Sequence, residues 1–400
     1  MQDLNKFHSY NLGSLPRGCQ MCVRGEKLVL FVTGLCPRKC YFCPLSDKKY
    51  GKDVIYANER KSFDSKEVIE EAELMDAKGM GVTGGDPLMK IDRTIRYIKT
   101  MKNKFGKDFH VHLYTSLNLV KENNLQLLYQ AGLDEIRFHF DFGAKTFWKN
   151  IEKAYKFPWD VGVEVPLVPN KEKIIKEIID LIQGKVRFLN LNELEVADNE
   201  LSKLGEMGFK VKDTYSYAIK GSLELGLELI DYVKENEYPL AVHVCTAKLK
   251  DSVQLANRIK REAEGVKKKF DLVDSEGMLT RGALYLPELA PGASYRKKLE
   301  EVDAPKSLDD KDFSCCSPTA RLAGGHLEVL RKLSGLVEEI KKKVKLEDED
   351  LFIDKKKYRI LLSKKNAKKH HKVFSKLGLK TAVVVEYPTA DQLEIELDFL

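Results

Sequence analysis

The chain has 400 residues and a formal net charge of +7; 43% of residues are hydrophobic, 32% charged, with 26 Gly, 13 Pro and 8 Cys. This length points to two domains or three, and the apolar fraction excludes a disordered or collagen-like chain. No apolar run approaches the roughly 18 residues of a membrane span, and the start, MQDLNKFHSYNLGSLPRG, has no apolar signal region, so a cytoplasmic protein without a membrane partner is expected.

In chain order, an irregular first stretch carries Cys19-Gln-Met-Cys22. An apolar strand is expected over 27–33, ended by Gly34, and a loop with Cys36, Cys40 and Cys43 follows at once. Residues 64–78 read as a helix, with Asp64 as cap and Glu67 completing a capping box. A short strand over 80–83 ends in Gly84-Gly85-Asp86-Pro87. Helical patterns then alternate with strands over 110–115, 135–141, 161–168, 186–191 and 240–245. Ile174, Ile175, Ile178, Ile179 and Ile182 mark one face of the helix after Asn170.

This alternation predicts βαβ units, a parallel sheet, and an α/β partial (β/α)6-type TIM barrel. The cysteine loop, the GGDP turn, Ser116 and Asn118, and Asn190 and Asn192 all fall at the C-terminal strand ends, where chemistry sits in such barrels. Residues 251–345 are expected to form a helical extension and 346–400 a small basic α/β domain.

Five cysteines fall within 25 residues. In a large chain without an export signal such crowding reads as metal binding rather than as a disulfide scaffold. Cys36-Pro-Arg-Lys-Cys40-Tyr-Phe-Cys43 has the spacing C-x3-C-x2-C. Three thiolates on one tight loop can hold three irons of a [4Fe-4S] cube and leave the fourth open to a small molecule. Ferredoxin-type clusters use four cysteines, and a structural zinc wants a fourth protein ligand. A zinc loop completed by a further cysteine is the alternative.

This motif, directly after the first barrel strand, resembles the radical SAM superfamily, and GGDP resembles that superfamily's GGEP turn. The resemblance implies that Cys36, Cys40 and Cys43 ligate the cluster and that S-adenosylmethionine (SAM) chelates the open iron. One electron then splits SAM into methionine and a 5′-deoxyadenosyl radical, which abstracts hydrogen from a substrate. It also implies that Gly84, Gly85, Asp86 and Pro87 meet the SAM amino group, with Asp86 in place of the commoner Glu. By position alone, Phe42 would pack on the adenine, Ser116 or Asn118 would meet the SAM carboxylate or ribose, and Asn190 and Asn192 the ribose or adenine. The radical SAM core is expected over 24–250, after an N-terminal CxxC segment over 1–23. Together with GCQMC, KLVLFVTGLC, FLNLNELE and EYPTADQLEIE resemble an archaeal group related to pyruvate formate-lyase activating enzymes, and the abundance of Lys and Glu agrees with a thermophilic source.

The remaining cysteines suggest an auxiliary Fe–S cluster, or a zinc, built from Cys19, Cys22, Cys245 and Cys316; packed, reduced thiols are the plainer alternative. Arg137, His139 and Asp141 alternate along one strand face and suit a ligand pocket. The segment Lys355–Lys380 contains eleven Lys or Arg and no acid, a pattern that could meet RNA or remain a solvated surface. An electron donor such as ferredoxin or flavodoxin is the expected partner, and the substrate is a small molecule or a macromolecule. The competing non-enzymatic reading is an Fe–S or zinc scaffold with an RNA-binding basic tail.

Overall fold

The computed structural model describes residues 4–197, 199–303 and 324–400. The chain divides into two compact units, Met1–Gly265 and Val266–Leu400.

The first unit is built on parallel strands β1 (Lys27–Phe31), β2 (Gly79–Thr83), β3 (His110–Ser116), β4 (Glu135–His139), β5 (Asp160–Leu167), β6 (Phe188–Glu193) and β7 (Ala241–Cys245). They pair in chain order, and every neighbouring pair is parallel. Such an order follows from repeated right-handed crossovers and curls the sheet into the expected partial barrel, with β7 added to the six-strand core. Short antiparallel strands finish the two edges. Tyr10–Leu12 pairs with β7; Ile55–Ala57 pairs with β1 and in turn with Arg60–Ser62, the outermost strand. These antiparallel strands left no distinct sequence signal, because each is only three residues long.

Local chemistry sets the crossover helices. Helix Ser65–Leu74 starts where the Asp64 carboxylate accepts from the Lys66 and Glu67 amides at 2.9 and 3.0 Å. The Glu67 carboxylate reaches back to the Phe63 amide at 2.6 Å, one residue before the cap. The helix stops four residues short of the expected end, because Asp76 turns left-handed (φ 48°). In helix Glu172–Ile182 the isoleucine face at 175, 178, 179 and 182 is fully buried.

The unit continues past the expected boundary at 250. Helix Ala256–Val266 is tied to it by Asn257 Nδ2 on the Val23 carbonyl (2.7 Å), Arg258 on Asn58 Oδ1 (2.9 Å) and Arg261 on the Met75 carbonyl (3.0 Å).

The second unit is an antiparallel sheet. Its strand order is β9 (Phe352–Asp354), β10 (Arg359–Leu362), β8 (Leu279–Tyr285), β11 (Lys380–Glu386) and β12 (Glu394–Phe399). Its central strand, β8, comes from the stretch read as a helical extension, so the sheet draws on sequence from both sides of residue 345. Leu272–Val273 pairs with β8 locally, but its two long partners, β10 and β11, are more than 70 residues away in the chain, which no local pattern reveals. Fully buried Arg359 binds Asp354 (2.8 Å) and Glu386 (2.7 Å) across β9, β10 and β11. Helix Lys364–Lys376 buries Ala367 and Phe374 and exposes Lys365, Lys368, Lys369, Lys372 and Lys376. Among the described residues, no helix is long and apolar enough to cross a membrane.

Candidate functional site

The site is assembled at the C-terminal mouth of the barrel, where the chain leaves β1 and β2. The Val32 amide donates to the Thr83 carbonyl (2.9 Å), carrying the pairing one step past β1. Beyond it, the Gly34 amide donates to the Lys52 carbonyl (2.8 Å), and Thr33 Oγ1 donates to Asp53 (2.9 Å). Arg93 and Lys90 also bind Asp53, and hydrogen bonds from Arg93 hold its carboxyl well below the usual carboxylate range. This charged knot fixes the root of the cysteine loop.

The two turns interlock through backbone. The Gly85 amide donates to the Thr33 carbonyl and the Asp86 amide to the Leu35 carbonyl, each at 2.8 Å. A Cβ on Gly84 would lie 2.4 Å from the Thr33 oxygen, and one on Gly85 would lie 2.4 Å from the Leu35 oxygen. The glycines therefore let the second turn lie directly on the base of the cysteine loop.

Asp86 is buried and caps the short 3-10 turn Pro87–Lys90 through the Leu88 amide (3.0 Å). Its carboxylate also accepts from Thr115 Oγ1 (2.8 Å), Ser116 Oγ (2.7 Å) and the Ser116 amide (3.0 Å). Burial pushes its pKa up, opposed by the hydrogen bonds from Ser116 and Thr115. Ser116 thus ties β3 to the GGDP turn in this arrangement, while Asn118 lies just past β3 and is partly exposed.

Cys36, Cys40 and Cys43 are all half-buried on the one loop. Burial raises each thiol pKa, and the charges of Cys40 on Cys36, Cys43 on Cys40 and Cys36 on Cys43 raise them further. Together as thiolates they would need a positively charged partner, which an iron–sulfur core provides. The Arg38 amide already donates to Cys36 Sγ (3.4 Å). Among the described residues, no three Cys, His, Asp or Glu side chains converge as ligands of a single ion.

Arg38 is the residue that the motif reading missed. Its guanidinium spans the mouth and binds His139 Nδ1 (2.9 Å), the His139 carbonyl (3.2 Å), the Phe140 carbonyl (3.3 Å) and Asp141 (3.5 Å). The only available signal was a cation inside the C-x3-C spacing. His139 and Asp141 therefore clamp the cysteine loop, and Arg137 alone of that trio turns into the lumen. Phe42 stacks on His139 with 6.1 Å between ring centroids and packs with Val168, Leu194 and Phe142. Asn199 holds the far end of the loop through the Cys43 and Leu45 carbonyls, both at 2.9 Å.

Below the mouth the lumen is polar. Fully buried Arg137 binds Glu135 (2.5 Å), Tyr114 Oη (3.2 Å) and Glu164 (3.4 Å). Asn190 and Asn192, expected after the sixth strand, lie within β6, which runs two residues further than expected. Asn190 donates to Glu164 at 3.0 Å and Asn192 donates to it at 2.8 Å. Helix Arg17–Val23 closes against this network: the Gly18 amide donates to Glu135 (3.3 Å), and a Cβ there would lie 2.7 Å from Arg137 Nη2. Cys19 Sγ accepts from Asn190 (3.2 Å) and Arg137 (3.5 Å). The charges of Cys22 and Cys19 are felt at Cys245, whose thiol burial pushes far up. Cys316 lies outside the described residues.

Burial pushes His139 and His243 down to about 4, from an ordinary 6.5, with Arg38 and Arg137 respectively adding to the shift. The unfolded chain binds the extra protons, so this stabilisation is complete above pH 6.5 and is lost as pH falls toward 4. Unfolding in urea is expected to become easier across that window, by up to roughly 3 kcal/mol per histidine. The His139→Gln, His243→Gln double variant should flatten the profile, and an unchanged slope would contradict the assignment.

Residues 30–161 match the radical SAM superfamily. A Methanocaldococcus jannaschii protein, provisionally named a glycyl-radical enzyme activating enzyme, is 40% identical over 327 residues, covering 80% of this chain and 86% of that one. Among solved structures, the radical S-adenosylmethionine methyltransferase TsrM of Kitasatospora setae overlaps at 13% identity and a TM-score of 0.33, over 46% of this chain and 40% of its own. Coproporphyrinogen III oxidase (HemN) of Escherichia coli, a radical SAM enzyme, overlaps at 13% and 0.32, over 56% of each chain. Overlaps this partial add no weight to the assignment, which rests on the first two matches. By those, the chain belongs to the radical SAM superfamily and is a radical SAM enzyme whose cofactors are a [4Fe-4S] cluster and SAM.

Proposed function

We propose that Cys36, Cys40 and Cys43 hold the cluster, that SAM lies over the GGDP turn, and that hydrogen is abstracted from a substrate in the lumen beneath. The observation that carries this reading is the interlock of the two turns: the Gly85 and Asp86 amides bond to residues 33 and 35, one residue from Cys36. A [4Fe-4S] cluster held by Cys36, Cys40 and Cys43 would supply the single electron that cleavage of SAM to methionine and a 5′-deoxyadenosyl radical requires. The chain's own work is positional. Arg38 anchors the cysteine loop to the end of β4, Asp86 holds the turn to β3, and Phe42 with its apolar neighbours keeps water from one side of the mouth. Reduced, reconstituted protein should convert SAM to methionine and 5′-deoxyadenosine in equal amounts. Failure both to bind and to cleave SAM would favour the scaffold reading.

The substrate has two readings. The name of the M. jannaschii relative favours a backbone glycine of a partner protein, which a glycyl-radical EPR doublet on that partner would reveal. The polar lumen favours a small molecule. The electron donor is a small acidic carrier of the ferredoxin or flavodoxin kind. The exposed lysines of helix Lys364–Lys376 suit an acidic surface, and copurifying, salt-sensitive RNA would assign them to nucleic acid instead.

A further inference from the structure

The lumen contains a buried cation, Lys27, with no carboxylate counter-ion; burial works against its charge, and the nearby Cys22, Tyr114 and Cys19 work for it. Lys27 sends its ammonium up the inside of β1, and its hydrogen-bond partners are neutral: His112 Nε2 (3.4 Å) and Tyr114 Oη (3.3 Å). Among the described residues, no carboxylate oxygen lies within 4 Å of it, although every other charge in the lumen is matched. Glu135 is taken by Arg137, and Glu164 by Arg137, Asn190 and Asn192. Buried ammonium groups are ordinarily paired.

Unspent hydrogen-bonding capacity lies on β6 and β7, near Cys19 and Arg137. His243 and Asn190 sit opposite one another in the β6–β7 register. Both are 2% exposed, and neither His243 nitrogen nor Asn190 Oδ1 has a partner. Such groups are normally satisfied by protein, water or ligand. Tyr114, Glu164 and Asn192 are each partly exposed and lead from the mouth toward them.

Resting on the proposed hydrogen abstraction in this lumen, we propose that the substrate is a small carboxylate that also bears a hydroxyl or amino group. The carboxylate pairs with Lys27, and the hydroxyl or amino group fills the unmet positions on Asn190 and His243. A peptide backbone carries no charge and would leave Lys27 uncompensated. A thiolate–metal centre at Cys19, Cys22 and Cys245 would supply that negative charge instead, and the metal analysis below separates the two.

The test uses the full-length reconstituted protein and two probes of one shape, glycolate and its uncharged amide, glycolamide, with binding read by saturation-transfer NMR. Glycolate is expected to bind at least about tenfold more tightly, and Lys27→Met to remove that preference. Asn190→Leu should weaken both probes. Equal binding of the probes to wild type, no binding of glycolate, or a preference that survives Lys27→Met would overturn the proposal. So would bound iron or zinc that disappears in Cys19→Ser, Cys22→Ser, because the anion would then be a metal centre. The wild-type comparison needs no variant to fold. SAM binding measured on the same samples separates the two levels: retained SAM binding with failed glycolate binding rejects only the carboxylate, whereas loss of both rejects the underlying reading.

Discussion

Alanine in place of Cys36, Cys40 or Cys43 is expected to reduce 5′-deoxyadenosine formation to background, a loss of at least about 10³-fold. All three thiols lie on one short loop and feel one another's charge, so removing one leaves two protein ligands for a cube that needs three. Iron per chain should fall in parallel in each variant. A variant that kept both its iron and its SAM cleavage would remove that cysteine from the cluster. Cys22→Ala supplies the contrast: it leaves the loop intact and should retain the cluster that binds SAM.

Gly85→Ala is expected to damage the site without touching a ligand. Its Cβ would lie 2.4 Å from the Leu35 oxygen and 2.7 Å from the Gly34 oxygen, and both are backbone atoms at the base of the cysteine loop. A flexible side chain could move away, but here the loop itself must shift. Overpacking of this kind costs about 1–3 kcal/mol, and the shift separates the turn from the loop it supports. Cluster loading and SAM binding should both drop several-fold, seen by iron analysis and by SAM titration. Gly205→Ala is the matched control, since nothing lies within 4 Å of a Cβ built there. Equal behaviour of the two variants would show that the interlock does not position the cluster.

What could be read in the sequence follows how local each feature is. The cysteine triad and the GGDP turn were legible because each lies on a few consecutive residues and ends a strand whose apolar run is plain. Arg38 could be seen but its role could not, because its partners at 139–141 are about a hundred residues away. Asn190 and Asn192 share a strand face, as their spacing requires. Their shared hold on Glu164 depends on β5 lying next to β6, and no pattern in either strand states that. By position Ser116 or Asn118 would meet SAM; the hydrogen bond from the Ser116 hydroxyl to Asp86, 30 residues away, is stated by no local pattern. Lys27 read as the first residue of an apolar strand. Only the folded barrel shows that no carboxylate pairs with its ammonium.

The central claim is an iron–sulfur cube with one iron left open for SAM at the end of β1. EPR of the dithionite-reduced, reconstituted protein, recorded before and after SAM is added, tests it most directly. A [4Fe-4S]⁺ signal whose g-values shift on SAM addition, and which is absent from Cys36→Ala, is the predicted result. A signal that SAM leaves unchanged, from a cluster that survives Cys36→Ala, would contradict the claim and point to a closed cluster held elsewhere in the chain.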